Sequence, residues 1–238
     1  MRAPYGFELN ESCRTCKLRT GGFFCQMPST ALNNLDAMVS PSTYPGAAVL
    51  FIEKQNPRGI FLLCEGEVKL SISSSEGRTM ILRVAKRGEI LGLLAALSGN
   101  PYEVTAETLH PCQVAFIRRD DFLRFITQHP EAYQNMVKQL TAQYQSVCEQ
   151  LRTVGLSASV SERLARLLLD WSAKNPQTKS GTKVKMPLTH EEIAECIGVT
   201  RETVSRTFGE FKTRHLVTLQ GSTLTIPSRA ALQSLVSA

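Results

Sequence analysis

Apolar positions in the stretch 189–211 recur with helical spacing and are interrupted by a glycine. Thr189 followed three residues later by Glu192 forms a capping box, so a helix is predicted to begin there. Gly198 suits the end of this helix, and Thr200 suits the N-cap of a second one. The stretch therefore predicts two short helices joined by a tight turn.

The second of these helices has an apolar stripe and a polar face. Its apolar residues at i, i+4 and i+7 are Val204, Phe208 and Phe211. Its polar residues are Arg201, Glu202, Ser205, Arg206 and Lys212. Paired helices also occur in ordinary globular cores, but an exposed Arg/Glu/Ser/Arg face favours a helix-turn-helix that reads DNA. The candidate DNA-binding residues are these five and the two caps, Thr189 and Thr200.

Two short alternating runs follow, at residues 216–219 and 223–226, with Gly221 between them. Alternating runs around a glycine are a β-hairpin signal. A winged helix-turn-helix carries its wing at this place in the chain. The hairpin therefore favours DNA binding over a generic pair of packed helices.

Residues 47–118 alternate short apolar runs with turn residues. The runs are 49–52, 60–64, 68–72, 80–84 and 113–117, with turns such as Glu65-Gly66 and Arg87-Gly88 between them. Evenly spaced strands with such turns favour an antiparallel β-roll of the jelly-roll type. The predicted fold class is therefore α+β, with a β-roll before a winged helix-turn-helix.

Apolar residues of a long helix after Pro130 repeat at alternating steps of four and three. They are Tyr133, Val137, Leu140, Tyr144, Val147, Leu151 and Val154. A helix packed only on its own domain would drift towards a repeat of about 3.6 residues, so the strict heptad repeat favours a partner helix. We expect that partner to be the same helix of a second copy, which predicts a homodimer. Gly155 is expected to end the helix.

The remaining segments complete the domain plan. Shorter helices are predicted at 120–128, 161–171 and 228–236, and a polar solvent loop without a motif at 174–185. The predicted domains are a cysteine-rich segment (1–28), a β-roll sensory domain (29–129), a dimerisation helix (130–156) and a winged helix-turn-helix DNA-binding domain (157–238).

The charge distribution suits a polyanionic partner. The 238-residue chain has a net charge of +6, and residues 160–238 hold 11 Lys/Arg against 7 Asp/Glu. Basic charge beside a helix-turn-helix fits DNA. No apolar run reaches the roughly 18 residues of a membrane helix, and residues 1–10 lack the apolar core of a signal peptide. We therefore expect a cytoplasmic protein with no membrane partner.

Seven cysteines in a chain without an export signal argue against a disulfide framework. Cys13 and Cys16 form a C-x-x-C pair, and Cys25 follows after eight residues. Such a pair can bring two thiolates to one metal or cluster, and the basic residues around it favour the thiolate form. These residues are compatible with three alternatives. They are an iron–sulfur cluster, a structural zinc or thiol switch, and a metal-free segment in which Cys25 is buried.

The segment R-E-T-V-S-R at 201–206, after a T-x-E-E-I-A-x-x-I-G helix, resembles the DNA-reading helix of the Crp/Fnr family of bacterial transcription regulators. The similarity covers nearly the whole chain. It implies a homodimeric regulator that binds double-stranded DNA and works with RNA polymerase. In the family, the Arg-Glu pair and the Glu-x-x-Ser-Arg set belong to readers of TGTGA-like and TTGAT-like half-sites respectively. This chain carries both, so we expect a pseudo-palindromic operator with a TGA-type G·C pair in each half.

The N-terminal cysteines resemble those of the Fnr branch. Its members hold an oxygen-labile four-iron four-sulfur cluster with three N-terminal cysteines and one in the sensory domain. Carried over to this chain, the ligands are Cys13, Cys16, Cys25 and Cys112. The eight-residue gap before Cys25 is longer than the commonest arrangement in the branch. The resemblance implies a [4Fe–4S] cofactor and a redox- or oxygen-responsive regulator.

Residues 88–101, G-E-I-L-G-L-L-A-A-L-S-G-N-P, resemble the phosphate cassette of the cyclic-nucleotide-binding fold. Binders in the family follow the cassette glycine with Glu for the ribose, and place Arg-Ser or Arg-Thr later for the phosphate. Here Leu93 follows Gly92, and Tyr102-Glu103 stand at the later positions. A carboxylate repels a cyclic phosphate and the bidentate guanidinium is missing, so we expect a roll that does not bind cyclic AMP.

Two other function classes are weighed against the regulator. A nucleic-acid enzyme such as a recombinase would need a nucleophile or clustered carboxylates for metal-dependent phosphoryl transfer. The four histidines are scattered, and the sequence has neither paired carboxylates nor a phosphate-binding loop motif. A nucleotide-gated module without DNA binding is disfavoured by the basic reading face. We therefore expect no enzyme, and we interpret His190 as a surface residue.

Overall fold

The structure is a computed structural model, and it describes residues 5, 12, 13, 16, 27–173, 175, 176 and 181–236. The chain divides into two compact units, residues 1–147 and 148–238. Strands and helices occur in both units, which confirms the predicted α+β class. Within the described residues, no helix combines the length and the apolar character that a membrane crossing needs.

The first unit contains a β-roll and the helices that cover it. Its helices are α1 (Ser29–Asp36), α2 (Leu93–Ser98), α3 (Arg119–Gln128) and the long α4 (Glu131–Leu156), which continues into the second unit. Its strands are β1 (Ser40–Tyr44), β2 (Val49–Phe51), β3 (Gly59–Glu65), β4 (Glu67–Ser73), β5 (Thr79–Lys86), β6 (Ile90–Leu91), β7 (Thr105–Thr108) and β8 (Cys112–Arg118).

These strands form two four-stranded antiparallel sheets, in the orders β1-β8-β3-β6 and β2-β7-β4-β5. In the first sheet, Phe61 of β3 pairs with Phe116 on one side and with Leu91 on the other. The predicted roll is confirmed. Helices α1 and α2 and strands β1, β6 and β7 are additions to the elements that the sequence predicts. Helix α4 runs through Gly155, which was expected to end it, to Leu156.

Strand β3 is apolar on both faces because both faces are covered. Ile60 and Leu62 join Phe122, Phe125 and residues of α1 and α4 in what we call the helix-side cluster. Phe61 and Leu63 join residues of both sheets in what we call the intersheet cluster. Successive side chains of a strand point to opposite faces, so this one strand holds the roll and its helices together.

The second unit contains the helix-turn-helix and its wing. Its helices are α5 (Val160–Ala173), α6 (His190–Ile197), α7 (Arg201–Thr213) and α8 (Arg229–Gln233). Its strands β9 (Thr182–Lys185), β10 (Thr218–Gln220) and β11 (Thr223–Ile226) form a sheet in the order β10-β11-β9. The predicted hairpin is confirmed by the pairing of Leu219 with Leu224. The predicted solvent loop at 174–185 is wrong at its end, because Thr182 and Val184 are buried in β9.

Candidate nucleic-acid interface

Helix α6 begins at a capping box that fixes its position in the chain. The Thr189 hydroxyl accepts a hydrogen bond from the Glu192 backbone N–H at 3.3 Å. The Glu192 carboxylate accepts one from the Thr189 N–H at 2.9 Å. These reciprocal bonds satisfy two backbone donors that the helix cannot satisfy itself. The predicted helix start is therefore confirmed.

Gly198 makes the turn between α6 and α7. Its backbone has φ 66° and ψ 46°, a left-handed conformation that costs most other residues about 1–2 kcal/mol. The Val199 N–H closes α6 by donating to the Ala194 carbonyl at 3.1 Å. The Thr200 hydroxyl then caps α7 by accepting from the Thr203 N–H at 3.4 Å. Both sides of the turn are thus fixed by local bonds, which sets where α7 starts.

Helix α7 buries one face and exposes the other, as its sequence predicts. The buried residues include Val204, Phe208 and Phe211. The exposed residues include all five polar positions of the predicted reading face, Arg201, Glu202, Ser205, Arg206 and Lys212. Guanidinium, carboxylate and hydroxyl groups are the ones that match base edges in the major groove. The exposed face therefore has the chemistry of a recognition helix.

Glu202 is held at the start of α7 in an ionised state. A hydrogen bond from its own backbone N–H is the main cause that lowers the pKa of its carboxyl group, and a bond with the Thr200 side chain and the charge of Arg201 lower it further. An ionised carboxylate only accepts hydrogen bonds. Glu202 can therefore accept from an amino group such as cytosine N4.

His190, interpreted from the sequence as a surface residue, is half-buried in the structure. Its ring stacks on Phe208, and its Nδ1 lies 3.0 Å from the Ser205 hydroxyl oxygen. Burial lowers the pKa of His190, and the charges of Arg201 and Lys212 lower it further. Sequence spacing gives no signal for this contact, because it depends on how α6 packs against α7.

The wing supplies positive charge from a segment that was predicted to be a loop. In β9, Thr182 and Val184 are buried while Lys183 and Lys185 are exposed. The strand pairs with β11 through the pair Lys185–Thr223 at one end. The β-branched residues Thr182 and Val184 alternate with lysines in T-K-V-K, and this is the signal that identifies the strand. Exposed lysines of this kind suit contacts with DNA phosphates.

Helix α4 exposes much of the predicted coiled-coil seam. The exposed fractions are 46% for Tyr133, 62% for Val137, 71% for Tyr144 and 60% for Leu151. Leu140 instead packs against the helix-side cluster. The last two seam residues, Val147 and Val154, are half-buried. A row of large apolar side chains exposed along one helix marks a surface for a partner.

The structure describes three of the four expected cluster ligands, and Cys25 lies outside the described residues. Cys13 packs against the helix-side cluster. Cys112 is buried in the intersheet cluster, where its thiol donates towards the carbonyls of Glu67 and His110. Burial raises the pKa of the Cys112 thiol, which disfavours the thiolate that a metal needs. In the described part of the chain, no three His, Cys, Asp or Glu side chains could share a metal, so Cys13, Cys16 and Cys112 do not gather into one site as placed.

The cassette glycine of the roll is covered by Tyr102. A Cβ at Gly92 would lie 2.7 Å from the Tyr102 ring. That ring stacks on Phe51 with centroids 4.1 Å apart, and its hydroxyl donates to the Gly59 carbonyl at 2.8 Å. Leu93 is buried in the helix-side cluster. An open cleft of about 630 Å³ lies beside Tyr102, with aromatic walls and Arg58 as its cation.

Both units match known protein families. A family model for the cyclic nucleotide-binding domain matches residues 41–129, and one for the Crp-like helix-turn-helix domain matches residues 162–235. The CRP-like cAMP-activated global transcriptional regulator of Mycobacterium tuberculosis is 24% identical over 88% of this chain and 93% of that protein. The transcriptional activatory protein AadR of Rhodopseudomonas palustris is 29% identical over 74% of this chain and 72% of that protein.

The fold is also shared with solved structures. The structure of FixK2 from Bradyrhizobium japonicum matches with a TM-score of 0.73 at 19% identity, and covers 84% of this chain and 98% of that chain.

A β-roll followed by a winged helix-turn-helix with an exposed basic reading face defines a DNA-binding transcription regulator. The chain belongs to the Crp/Fnr family of transcription regulators. Its relatives are regulators and not enzymes, which confirms the expectation for this chain.

Proposed function

We propose that the protein is a homodimeric regulator in which two α7 helices read the half-sites of a pseudo-palindromic operator. The observation that carries the proposal is the exposed Arg/Glu/Ser/Arg face of α7, held in place by the caps of the helix-turn-helix. A two-fold dimer presents two such helices, so it needs half-sites about one helical turn apart. On this proposal the protein acts in the cytoplasm and regulates promoters through RNA polymerase.

Selection from randomised double-stranded DNA tests this proposal. The full-length chain is expected to enrich a two-fold symmetric motif with a TGA-type G·C pair in each half. Affinity for that motif should fall steeply with salt, because bound phosphates release counterions. An enriched motif without two-fold symmetry, or strand cleavage in the bound fraction, contradicts the proposal.

The dimer interface that we propose is the seam of α4. Four of its seven residues expose between 46% and 71% of their surface within one chain, namely Tyr133, Val137, Tyr144 and Leu151. Their heptad spacing suits a coiled coil with the same helix of a second copy. Burying this row would remove apolar surface from water, which is the main driving force of such association.

Cyclic AMP is expected neither to bind the roll nor to change the affinity for DNA. The Tyr102 ring covers the face of Gly92, and the exposed carboxylate of Glu103 would repel a phosphate. Isothermal titration with cyclic AMP should give no more heat than titration with 5′-AMP, which lacks the cyclic phosphate. Micromolar binding of cyclic AMP alone would overturn this expectation.

The cysteines carry a separate redox proposal that rests on the sequence. The C-x-x-C pair in basic surroundings and Cys112 at the family position support a cysteine-ligated [4Fe–4S] group, although the described cysteines do not gather into a metal site. Protein prepared under strict anaerobiosis is expected to contain iron and to absorb visible light. Cys13→Ser should lose both properties, and Cys148→Ser should keep them. Colourless, iron-free anaerobic protein with full DNA binding would contradict the redox proposal.

A further inference from the structure

His190 connects the helix before the recognition helix to the reading face itself. It is the first residue of α6, and its Nδ1 lies 3.0 Å from the Ser205 oxygen on α7. Its ring stacks on Phe208, with centroids 5.0 Å apart and planes 7° apart. Phe208 is almost completely buried, so the imidazole is held against a rigid surface. The position of the Ser205 hydroxyl is therefore tied to a residue outside α7.

We propose that His190 fixes the Ser205 hydroxyl as a hydrogen-bond acceptor towards DNA, and so decides which base Ser205 selects. This inference rests on the proposed function, in which the exposed face of α7 reads base edges. His190 acts here as a positioning residue, because its effect on the base passes through Ser205.

The single proton of the Ser205 hydroxyl determines which base groups this residue can contact. A serine hydroxyl has one proton to donate and two lone pairs with which to accept. A freely rotating hydroxyl can therefore contact either an amino or a carbonyl group on a base. When Ser205 donates its proton to Nδ1, only its lone pairs remain for the groove. Ser205 then accepts a hydrogen bond from adenine N6 or cytosine N4. It has no proton left to donate to thymine O4 or guanine O6, so contacts with these two atoms are disfavoured.

The protonation state of the ring permits this direction of the bond. Burial and the charges of Arg201 and Lys212 lower the pKa of His190, so the imidazole is neutral at neutral pH. A neutral imidazole has one bare nitrogen that accepts and one N–H that donates. With Nδ1 accepting from Ser205, the Nε2–H points away from Ser205. That N–H is then free to donate to a DNA phosphate near the first turn of α6.

A double-mutant cycle on base preference tests the proposal. His190→Phe, Ser205→Ala and the double variant are measured, as full-length proteins, on operators that carry each base at each half-site position. His190→Phe keeps an aromatic ring on Phe208 and removes the two nitrogen atoms that can form hydrogen bonds. We expect both single variants to lose the same preference at the same base pair, by roughly five-fold, the effect of one hydrogen bond. The double variant should lose no more.

Packing alone makes a different prediction. If His190 only supports Phe208, then His190→Phe leaves every base preference unchanged or weakens all operators alike, and either result overturns the proposal. If Ser205→Ala changes no preference while Glu202→Ala does, the proposal for His190 fails and base reading by α7 stands. If neither Ser205→Ala nor Glu202→Ala changes a preference, the proposed function fails as well.

A second measurement needs no substitution at His190. Burial and the neighbouring cations place the pKa of His190 below its usual range, and only below that pKa does a protonated ring donate from Nδ1 and release the Ser205 proton. On acidification through this pKa, the preference should move from amino-bearing towards carbonyl-bearing bases. The charged groups around the ring are Arg201 and Lys212 on α7, with Glu191 and Glu192 next to it on α6. Ser205→Ala is the control, since it should abolish the pH effect. A preference that stays constant while the His190 ring becomes protonated overturns the proposal.

Discussion

Replacing Val137 with aspartate is expected to separate the dimer into monomers and to weaken operator binding at least about 100-fold. Val137 is 62% exposed within the chain, so the change removes little packing inside the subunit. At a coiled-coil seam each copy would lose about 1.5–3 kcal/mol of the free energy gained by burying the valine side chain. The two introduced carboxylates would also approach each other. The total of about 3–6 kcal/mol corresponds to roughly 10²–10⁴-fold in the dimer dissociation constant. Analytical ultracentrifugation measures it.

The position of the substitution decides what the experiment shows. Leu140 also lies in the heptad repeat, but it packs against the helix-side cluster, so Leu140→Asp would damage the roll as well as the dimer. Ala142 is exposed and lies on the opposite side of α4 from the seam. Ala142→Asp adds the same charge and should leave the dimer and DNA binding intact. A Val137→Asp protein that sediments as a dimer would show that the copies meet elsewhere.

Features that depend on neighbours in sequence could be predicted from the sequence. The capping box of Thr189 and Glu192, the left-handed Gly198 and the N-cap Thr200 all act within about four residues of chain, and each lies where the sequence placed it. The hairpin at Gly221 is local in the same sense. These short-range bonds fix the recognition helix, so the part of the site most directly tied to DNA could be predicted best.

Features that depend on distant partners could not be predicted in the same way. Strand β9 has only four residues, and its pairing of Thr182 with Ile226 joins positions far apart in the chain. The contact of His190 with Ser205 depends on the packing of two helices. Heptad spacing identifies the apolar side of α4, but it cannot show that Leu140 packs within its own subunit. Predicting each of these features requires knowledge of the tertiary fold.

Replacing Glu202 or Arg206 with alanine is expected to weaken binding to the selected operator by about 1–3 kcal/mol per half-site. Two half-sites give about 2–6 kcal/mol, roughly 30-fold to more than 10⁴-fold. The ionised Glu202 carboxylate can accept from cytosine N4, and the exposed Arg206 guanidinium can donate two bonds to guanine O6 and N7. Each variant should relax the preference at one base pair, measured by competition among operator variants.

Lys212 provides the matched control for Arg206. It is also exposed and cationic, but it lies later in α7, where a phosphate contact is expected. Lys212→Ala should weaken all sequences alike and reduce the slope of log affinity against log salt by about one per half-site, or about two for the dimer. If Arg206→Ala behaves in the same way as Lys212→Ala, Arg206 contacts phosphate and does not read a base.

Glu202→Gln separates base reading from helix capping. Because Glu202 bonds with Thr200 and its own N–H, Glu202→Ala removes a contact at the helix start as well as a group that can read a base. Glutamine keeps the length and one acceptor oxygen, but it adds an amide donor, and a carboxamide matches adenine N6 and N7. Glu202→Gln is therefore expected to move the preference at that base pair from cytosine towards adenine. If Glu202→Gln keeps the wild-type preferences while Glu202→Ala weakens all operators alike, Glu202 is a helix cap, and another residue of α7 reads that base pair.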